Sequence, residues 1–434
     1  MTGVAPGLLG VCALLLLLVM GMPIGVALGL VGMVGLALTL GFEPMLIKSG
    51  VLFFETVTRY ELGTLPLFML MAHLCFAANA SRDFFDVAAR LFGHRRGGLA
   101  VASVAGCAGF GAINGSSLAT TATIGLVALP EMRQRGYSDA LATGSVAAGG
   151  TLGQMIPPSG ALIVFGIIAE QSIGTLFTAA IVPGITQMLS YFLVIALLVT
   201  WRPGIAPSLP RASWAERRAA AWRMLDIGLL VLAVIGGIAM GWVTPSEAAA
   251  VGAAGAFLIC MRRGRLSVAT LRRALEDTLK TSGLIYLVVI GALIFSTFIS
   301  VTGFTDIIGS GIQGLGLGPV ATMLVVAVFL LLIGSVLDGL ALMLLTTPIL
   351  LPLVQDMGLS PIWFGIFLVR AMEIGFVHPP IGMNLYVIRG VAPDVPIARI
   401  FKGVLPFLAA DLVHLVLLIL FPVLVLGLPQ WLSP

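Results

Sequence analysis

The chain predicts an all-α polytopic membrane protein built from inverted repeats, with two re-entrant hairpins and two discontinuous helices. Three observations carry this. Hydrophobic residues fill 59% of 434 positions and charged residues only 10%, against roughly 25% charged in a soluble domain. Apolar runs of about 18 residues or more, each enough to cross a bilayer, recur from end to end. A set of Gly, Ser and Pro positions in the first half returns 222 residues later.

The formal charge of +4 is not a nucleic-acid signature. Lys and Arg sit in short clusters between apolar runs, as orientation across a bilayer requires, so the partner they imply is lipid. Cys12, Cys75, Cys107 and Cys260 lie scattered in apolar stretches without metal-ligand spacing and read as small buried hydrophobes.

Residues 7–40 are apolar with no Lys or Arg before them. They read as mature membrane structure broken at Met22-Pro23, not as a secretory signal, which has a basic leader and a shorter core. Residues 44–59 and 83–93 read as amphipathic and interfacial, and 62–80 as one span. Residues 97–130 are uncharged and flanked on both sides by arginine. A single helix of that length runs about 51 Å against a hydrocarbon core of about 30 Å. A hairpin with its tip near Gly109 to Ser117 satisfies both the length and the flanks.

Residues 140–169 and 173–200 are the next apolar runs. The polar stretch 202–223 reads as a cytoplasmic linker between halves, followed by spans at 225–242 and 245–261. A basic amphipathic arm, 262–280, precedes a span at 282–302. Residues 319–354 repeat the overlong run, with Gly334 and Asp338-Gly339 in the middle and no Lys or Arg at either end. They read as two ordinary spans with a tight turn or, more sharply, as a hairpin entering from the opposite side. Runs at 360–392 and 404–427 complete the chain.

The offset favours the sharper reading. Pro130 meets Pro352, Ser138 meets Ser360, Gly153 meets Gly375, and Pro157-Pro158 meets Pro379-Pro380. The basic flanks fall on opposite sides, so the repeat is predicted to be inverted. The resulting divisions are 1–96 (scaffold helices and arm), 97–170 (first hairpin and broken helix), 171–301 (scaffold, with linker 202–223 and arm 262–280), 302–392 (second hairpin and broken helix) and 393–434 (C-terminal helix).

Each Gly-x-x-x-Pro-Pro interrupts a membrane run. Proline removes an amide donor and frees a carbonyl one turn back. Unpaired backbone survives in a bilayer only where it is buried or lines a cavity. Free carbonyls are hard oxygen ligands for a cation, and the half-helix restarting after the break offers its positive end to a carboxylate. Two cation sites are therefore expected, one from Asn114, Gly115, Ser116 and the Gly153 region, the other from Gly334, Asp338 and the Gly375 region. A small organic anion is expected between them, against Ser117, Thr120, Pro158, Ser159, Thr346 and Asn384. For any single Ser, Thr or Gly the competing reading is close helix packing. Arg370 and Glu373, three apart, read as an internal ion pair, with a substrate contact for Arg370 as the other reading. His378 reads as packed or as a titrating group, and His73 and His414 as structural. Neither His-Glu-x-x-His, Gly-x-Ser-x-Gly nor a phosphate-cradling Gly-x-x-x-x-Gly-Lys occurs, which argues against an enzyme and against ATP-driven transport. Glu373 with His378 leaves a weak case for an intramembrane hydrolase.

Several stretches resemble one family, the large membrane subunit of tripartite ATP-independent periplasmic (TRAP) transporters. They are Asn114 to Tyr137, Gly149 to Ser159, Asp338 to Pro348, Glu373 to Asn384 and Gly390 to Pro396. The resemblance implies an elevator-type fold, in which a transport domain moves against a scaffold. It implies Na+ as coupling ion, no cofactor, a bacterial inner-membrane location, and import of C4-dicarboxylates or other carboxylates or sulfonates. It also implies a small four-helix membrane subunit and a periplasmic substrate-binding protein as separate partners. The alternatives are a self-sufficient elevator-type dicarboxylate symporter and a proton-coupled variant. The sequence departs from the family at His378, where Thr is usual.

Overall fold

The computed structural model describes residues 4–432 except 315 and 336. Residues 1–3, 433 and 434 of the two terminal divisions lie outside the described residues. The described chain is all helical. α1 (Val4–Val19), α2 (Ile24–Leu40), α3 (Phe42–Thr58) and α4 (Thr64–Ala77) lead to α5 (Ala80–Phe92). Next come α6 (Gly98–Asn114), α7 (Ser117–Gln134), α8 (Asp139–Met155), α9 (Gly160–Ile168) and α10 (Ile173–Trp201). The second half holds α11 (Trp214–Ala239), α12 (Pro245–Arg262), α13 (Val268–Val301) and α14 (Phe304–Gln313). It continues with α15 (Pro319–Gly334), α16 (Gly339–Asp356), α17 (Pro361–Gly375), α18 (Met383–Val391), α19 (Ile397–Leu420) and α20 (Val423–Leu432).

The first apolar run breaks where expected, between α1 and α2. Gly21 turns the chain in the left-handed region (φ 83°), and Pro23 starts the next helix, where its missing amide costs nothing. Among the described residues six helices of 18 residues or more are apolar enough to cross a bilayer, counting α4 with the 3-10 turn before it, and α8 with α9 makes a seventh bent by 41°. Much of the remaining apolar sequence lies in shorter helices, α1, α2, α6, α15 and α20.

Two expected boundaries move. The arm 262–280 and the span after it are not separate: α13 is one helix of 34 residues, about 51 Å long. Both parts have helical periodicity, and no proline stands between them. The linker 202–223 is irregular only in its first part. Ser213 and Glu216 form a capping box that starts α11 at Trp214, so the arginines from 217 onward are helical.

Packing separates the helices into two groups. In one, α2 lies along α13 and α12 along α4, with α1, α3 and α11 beside them. Small residues permit the close approach. A Cβ on Gly25 would lie 2.9 Å from the backbone of Val288, and one on Gly32 2.8 Å from that of Phe295. Thr64 and Ser246 share a 2.7 Å hydrogen bond between α4 and α12. The other group holds α6 to α10 and α15 to α20. α10, which the sequence divisions group with the scaffold helices, and the C-terminal helix α19 both pack here. α10 packs on α8, α19, α6 and α17, and α19 packs on α8. By contact both belong with the hairpins and broken helices, held there by the buried polar side chains Tyr191 and Asp411. α5 bridges the groups, touching α6 and α11.

Candidate functional site

The run 97–130 folds as a helical hairpin. Its tip is tighter than expected: α6 continues through Asn114, and only Gly115 and Ser116 turn. Gly109 and Gly111 serve packing instead, against the Phe84 ring and Gly153. Gly115 sits in the left-handed region at φ 63°, and a Cβ there would lie 2.5 Å from the Pro158 carbonyl oxygen, so both conformation and space demand glycine. Ser116 caps α7, its hydroxyl accepting from the Ala119 amide at 3.4 Å. At the open end, the Leu99 amide donates to the Tyr137 hydroxyl at 3.1 Å. Arg133 reaches both Asp139 and Asp394 there, on the arginine-rich side.

The first helix break faces this tip. α8 stops at Met155, residues 156–159 are extended or bent, and Ser159 caps α9 through the Leu162 amide. A Cβ on Gly153 would lie 2.5 Å from Thr120 Oγ1 and 2.9 Å from the Ser116 carbonyl. Asn114 donates to Thr120 Oγ1 at 3.2 Å. Asn114, Gly115, Ser116, Thr120, Gly153, Pro158 and Ser159 thus meet in one place.

The second pair repeats the arrangement. α15 ends at Gly334, and Asp338 caps α16, accepting from the Leu340 amide at 3.1 Å. A Cβ on Gly375 would lie 2.6 Å from the Gly334 carbonyl oxygen, so the second turn lies against the second break, which runs from 376 to 382 before α18. Counting 222 residues from Ser117 and Gln134, the ends of α7, reaches Gly339 and Asp356, the ends of α16; the capping residues Ser116 and Asp338 also correspond. The two breaks differ in environment. Pro157, Pro158 and Ser159 are buried, whereas Pro380 and Ile381 are exposed.

The two units are joined across the molecule. Asn384 of α18 is buried and donates to Ser117 Oγ (2.9 Å) and to the Ala147 carbonyl (3.0 Å). A cavity of about 350 Å³ lies where the first tip, the first break, α4 and α13 come together, and it reaches Leu340 at the second.

A family model described as "Tripartite ATP-independent periplasmic transporter, DctM component" matches residues 11–424. The chain belongs to this family. It is 35% identical over 404 residues to the C4-dicarboxylate TRAP transporter large permease protein DctM of Pseudomonas aeruginosa, covering 93% of this chain and 94% of that one. It is 30% identical to the sialic acid TRAP transporter large permease protein SiaM of Vibrio cholerae, covering 95% and 96%. It is 33% identical to the isethionate TRAP transporter permease protein DctMQ of Oleidesulfovibrio alaskensis, of which it spans 63%. The fold is also that of the crystal structure of the YdaH transporter of Alcanivorax borkumensis, at TM-score 0.60 and 17% identity, over 99% of this chain and all of that one.

Two of the permease's expected substrate residues lie apart from the tips. Arg370 is fully buried, donating to Glu373 at 2.9 Å and to Asp411 at 2.5 Å; it forms the expected ion pair with Glu373 and is not among the residues that line the cavity. Thr346 turns its hydroxyl back to the Leu342 carbonyl at 2.7 Å. His378 stands at the second break with Nδ1 unpartnered. Sequence reasoning missed Asp411 and the polar neighbours Gln187 and Tyr191, which hydrogen-bond each other and Thr151. It also passed over Gln154 and Lys280, which line the cavity. Gln154 stood only as an unspecified position of Gly-x-x-x-Pro-Pro, and Lys280 read as the last basic residue of a surface arm.

Proposed function

We propose that this large permease carries a small organic anion, a C4-dicarboxylate or similar carboxylate, across the bacterial inner membrane by sodium symport, and that it is not an enzyme. The observation that carries the reading is the paired meeting of each turn with a broken helix: 114–117 against 153–160, and Gly334 against Gly375. The donors gathered at these points are hydroxyl, amide and backbone carbonyl oxygens, the hard set suited to an alkali cation. Among the described residues no cluster of three His, Cys, Asp or Glu suits a transition metal. Asn114, Ser116 and the Gly153 region would hold one Na+, and the Gly334 carbonyl, Asp338 and the Gly375 region a second. Sodium supplies positive charge beside the anion. The helix starts after Ser116 and Ser159 add their own partial positive charge.

In this reading the hairpin group moves as one body against the group of α2, α4, α12 and α13, elevator fashion. The tight α2–α13 and α4–α12 seams suit a static scaffold. A small four-helix membrane subunit and a periplasmic binding protein complete the system. The names of the relatives, for C4-dicarboxylate, sialic acid and isethionate, support an anionic substrate.

The test is uptake of radiolabelled succinate into proteoliposomes holding the permease and small subunit, with the binding protein outside. Uptake is expected to follow an inward sodium gradient. Uptake driven equally by potassium sinks the sodium reading. Uptake that follows a proton gradient instead would favour the variant in which His378 titrates. Uptake without the binding protein would favour a self-sufficient symporter.

A further inference from the structure

The cavity beside the first tip has one charged residue in its lining, Lys280. It stands on α13, and the chain carries no further charge until Asp306. Among the described residues Lys280 forms no ion pair within 4.0 Å. Its nearest acidic neighbours on the helix are Glu276, taken by Arg272 at 2.7 Å, and Asp277. Much of the remaining wall is apolar: Met69, Ala161, Val164, Leu284, Ile285 and Leu340. Lys280 is exposed at the mouth of this cavity, where apolar walls on one side focus the field of a lone ammonium.

Gln154, from the last turn of α8, lines the same cavity. It is only 7% exposed, and its Oε1 is buried without a hydrogen-bond partner. An unpaired buried amide oxygen carries a desolvation penalty that a bound donor removes. Turned over, the same amide offers Nε2 to an acceptor.

We propose that Lys280 and Gln154 are specificity residues of the permease: the ammonium takes the carboxylate or sulfonate of the transported anion, and the amide hydrogen-bonds a second polar group of the same molecule. This rests on the organic-anion reading above and adds to it a charge on the opposite wall from the hairpin. Lys280 belongs to the α2–α13 group and Gln154 to the hairpin group. The two-sided grip therefore exists only in the arrangement seen here, and relative motion of the groups releases the anion.

The test uses the full chain purified in a neutral detergent, so that no anionic lipid headgroup competes. Succinate, isethionate and a sialic acid are titrated in sodium chloride while thermal unfolding is followed. For K280Q the apparent affinity for the stabilising anion is expected to fall about tenfold, the loss of one charge-assisted hydrogen bond. Its ionic-strength dependence should flatten, while K280R keeps both. Q154A should weaken binding without changing the salt dependence. If an anion stabilises the wild type and both K280Q and Q154A bind it equally well, the assignment fails and the organic-anion reading stands. Equal losses in K280R and K280Q also overturn it, since packing rather than charge would then be at work. If no anion stabilises the wild type, both readings fall.

Discussion

Arg370 shows what a single residue is asked to do inside this bundle. Its guanidinium, Glu373 and Asp411 are all without exposure, and two carboxylates face one cation. Removing one partner of a buried pair leaves an uncompensated charge and costs about 3–5 kcal/mol. Arg370→Met is therefore expected to lower stability by that order, and Glu373→Gln on the same background should return part of it. Melting of the purified variants checks this; a wild-type melt for Arg370→Met would refute the network's structural role. Ser116 separates two functions in one hydroxyl, a helix cap and a candidate sodium ligand. Glycine at an N-cap costs only a few tenths of a kcal/mol relative to serine. Ser116→Gly should therefore fold normally in the absence of sodium and need more sodium for half-maximal uptake. An unchanged sodium curve would remove Ser116 from the site.

At the scale of elements, the turns and breaks work because helices touch backbone to backbone. A Cβ on Gly375 meets a backbone oxygen that cannot swing aside, whereas one on Gly153 meets both the Thr120 side chain and the Ser116 carbonyl. Overpacking of this kind costs roughly 1–3 kcal/mol. Gly375→Ala and Gly153→Ala are both expected to lose stability on that scale and to slow uptake. Gly390→Ala, with nothing within 4 Å of its Cβ, should be neutral by the same melt. These breaks were legible because Gly-x-x-x-Pro-Pro inside an uncharged run has few other physical uses. The hairpins were legible because runs of 34 residues (97–130) and 36 residues (319–354) with at most one charge overfill a bilayer. What escaped had no local signature. Asp411 lies 41 residues from the arginine it binds, and nothing in its own apolar stretch marks the pairing. The continuity of α13 was hidden because an amphipathic and an apolar helix meet there at Thr281-Ser282-Gly283 without a breaker. Gln154 and Lys280 come together only when α8 and α13 face one cavity.

At the scale of the molecule, the proposed mechanism needs the two groups to slide while each stays intact. Contacts within and between groups should therefore respond oppositely to covalent locking. Arg59, just after α3, reaches the end of α9 and the loop after it: its guanidinium lies 3.5 Å from Glu170 and donates to the Ile167 carbonyl at 3.4 Å. These are contacts between the groups, at residues that also line a second cavity of about 650 Å³. Thr64 and Ser246, 2.7 Å apart, lie within the scaffold group. With the free cysteines replaced, an Arg59→Cys/Glu170→Cys pair joined by a short bis-maleimide is expected to abolish sodium-driven uptake, while either single cysteine with the same reagent leaves most of it. A Thr64→Cys/Ser246→Cys pair bridged by mercury(II) should transport nearly as well as its unbridged form. The second pair controls for loss of folding, because its bridge crosses two buried helices without crossing the sliding surface. Full transport by the bridged Arg59/Glu170 pair would mean that these surfaces never part, and the substrate would then have to cross by local opening of the two turns instead.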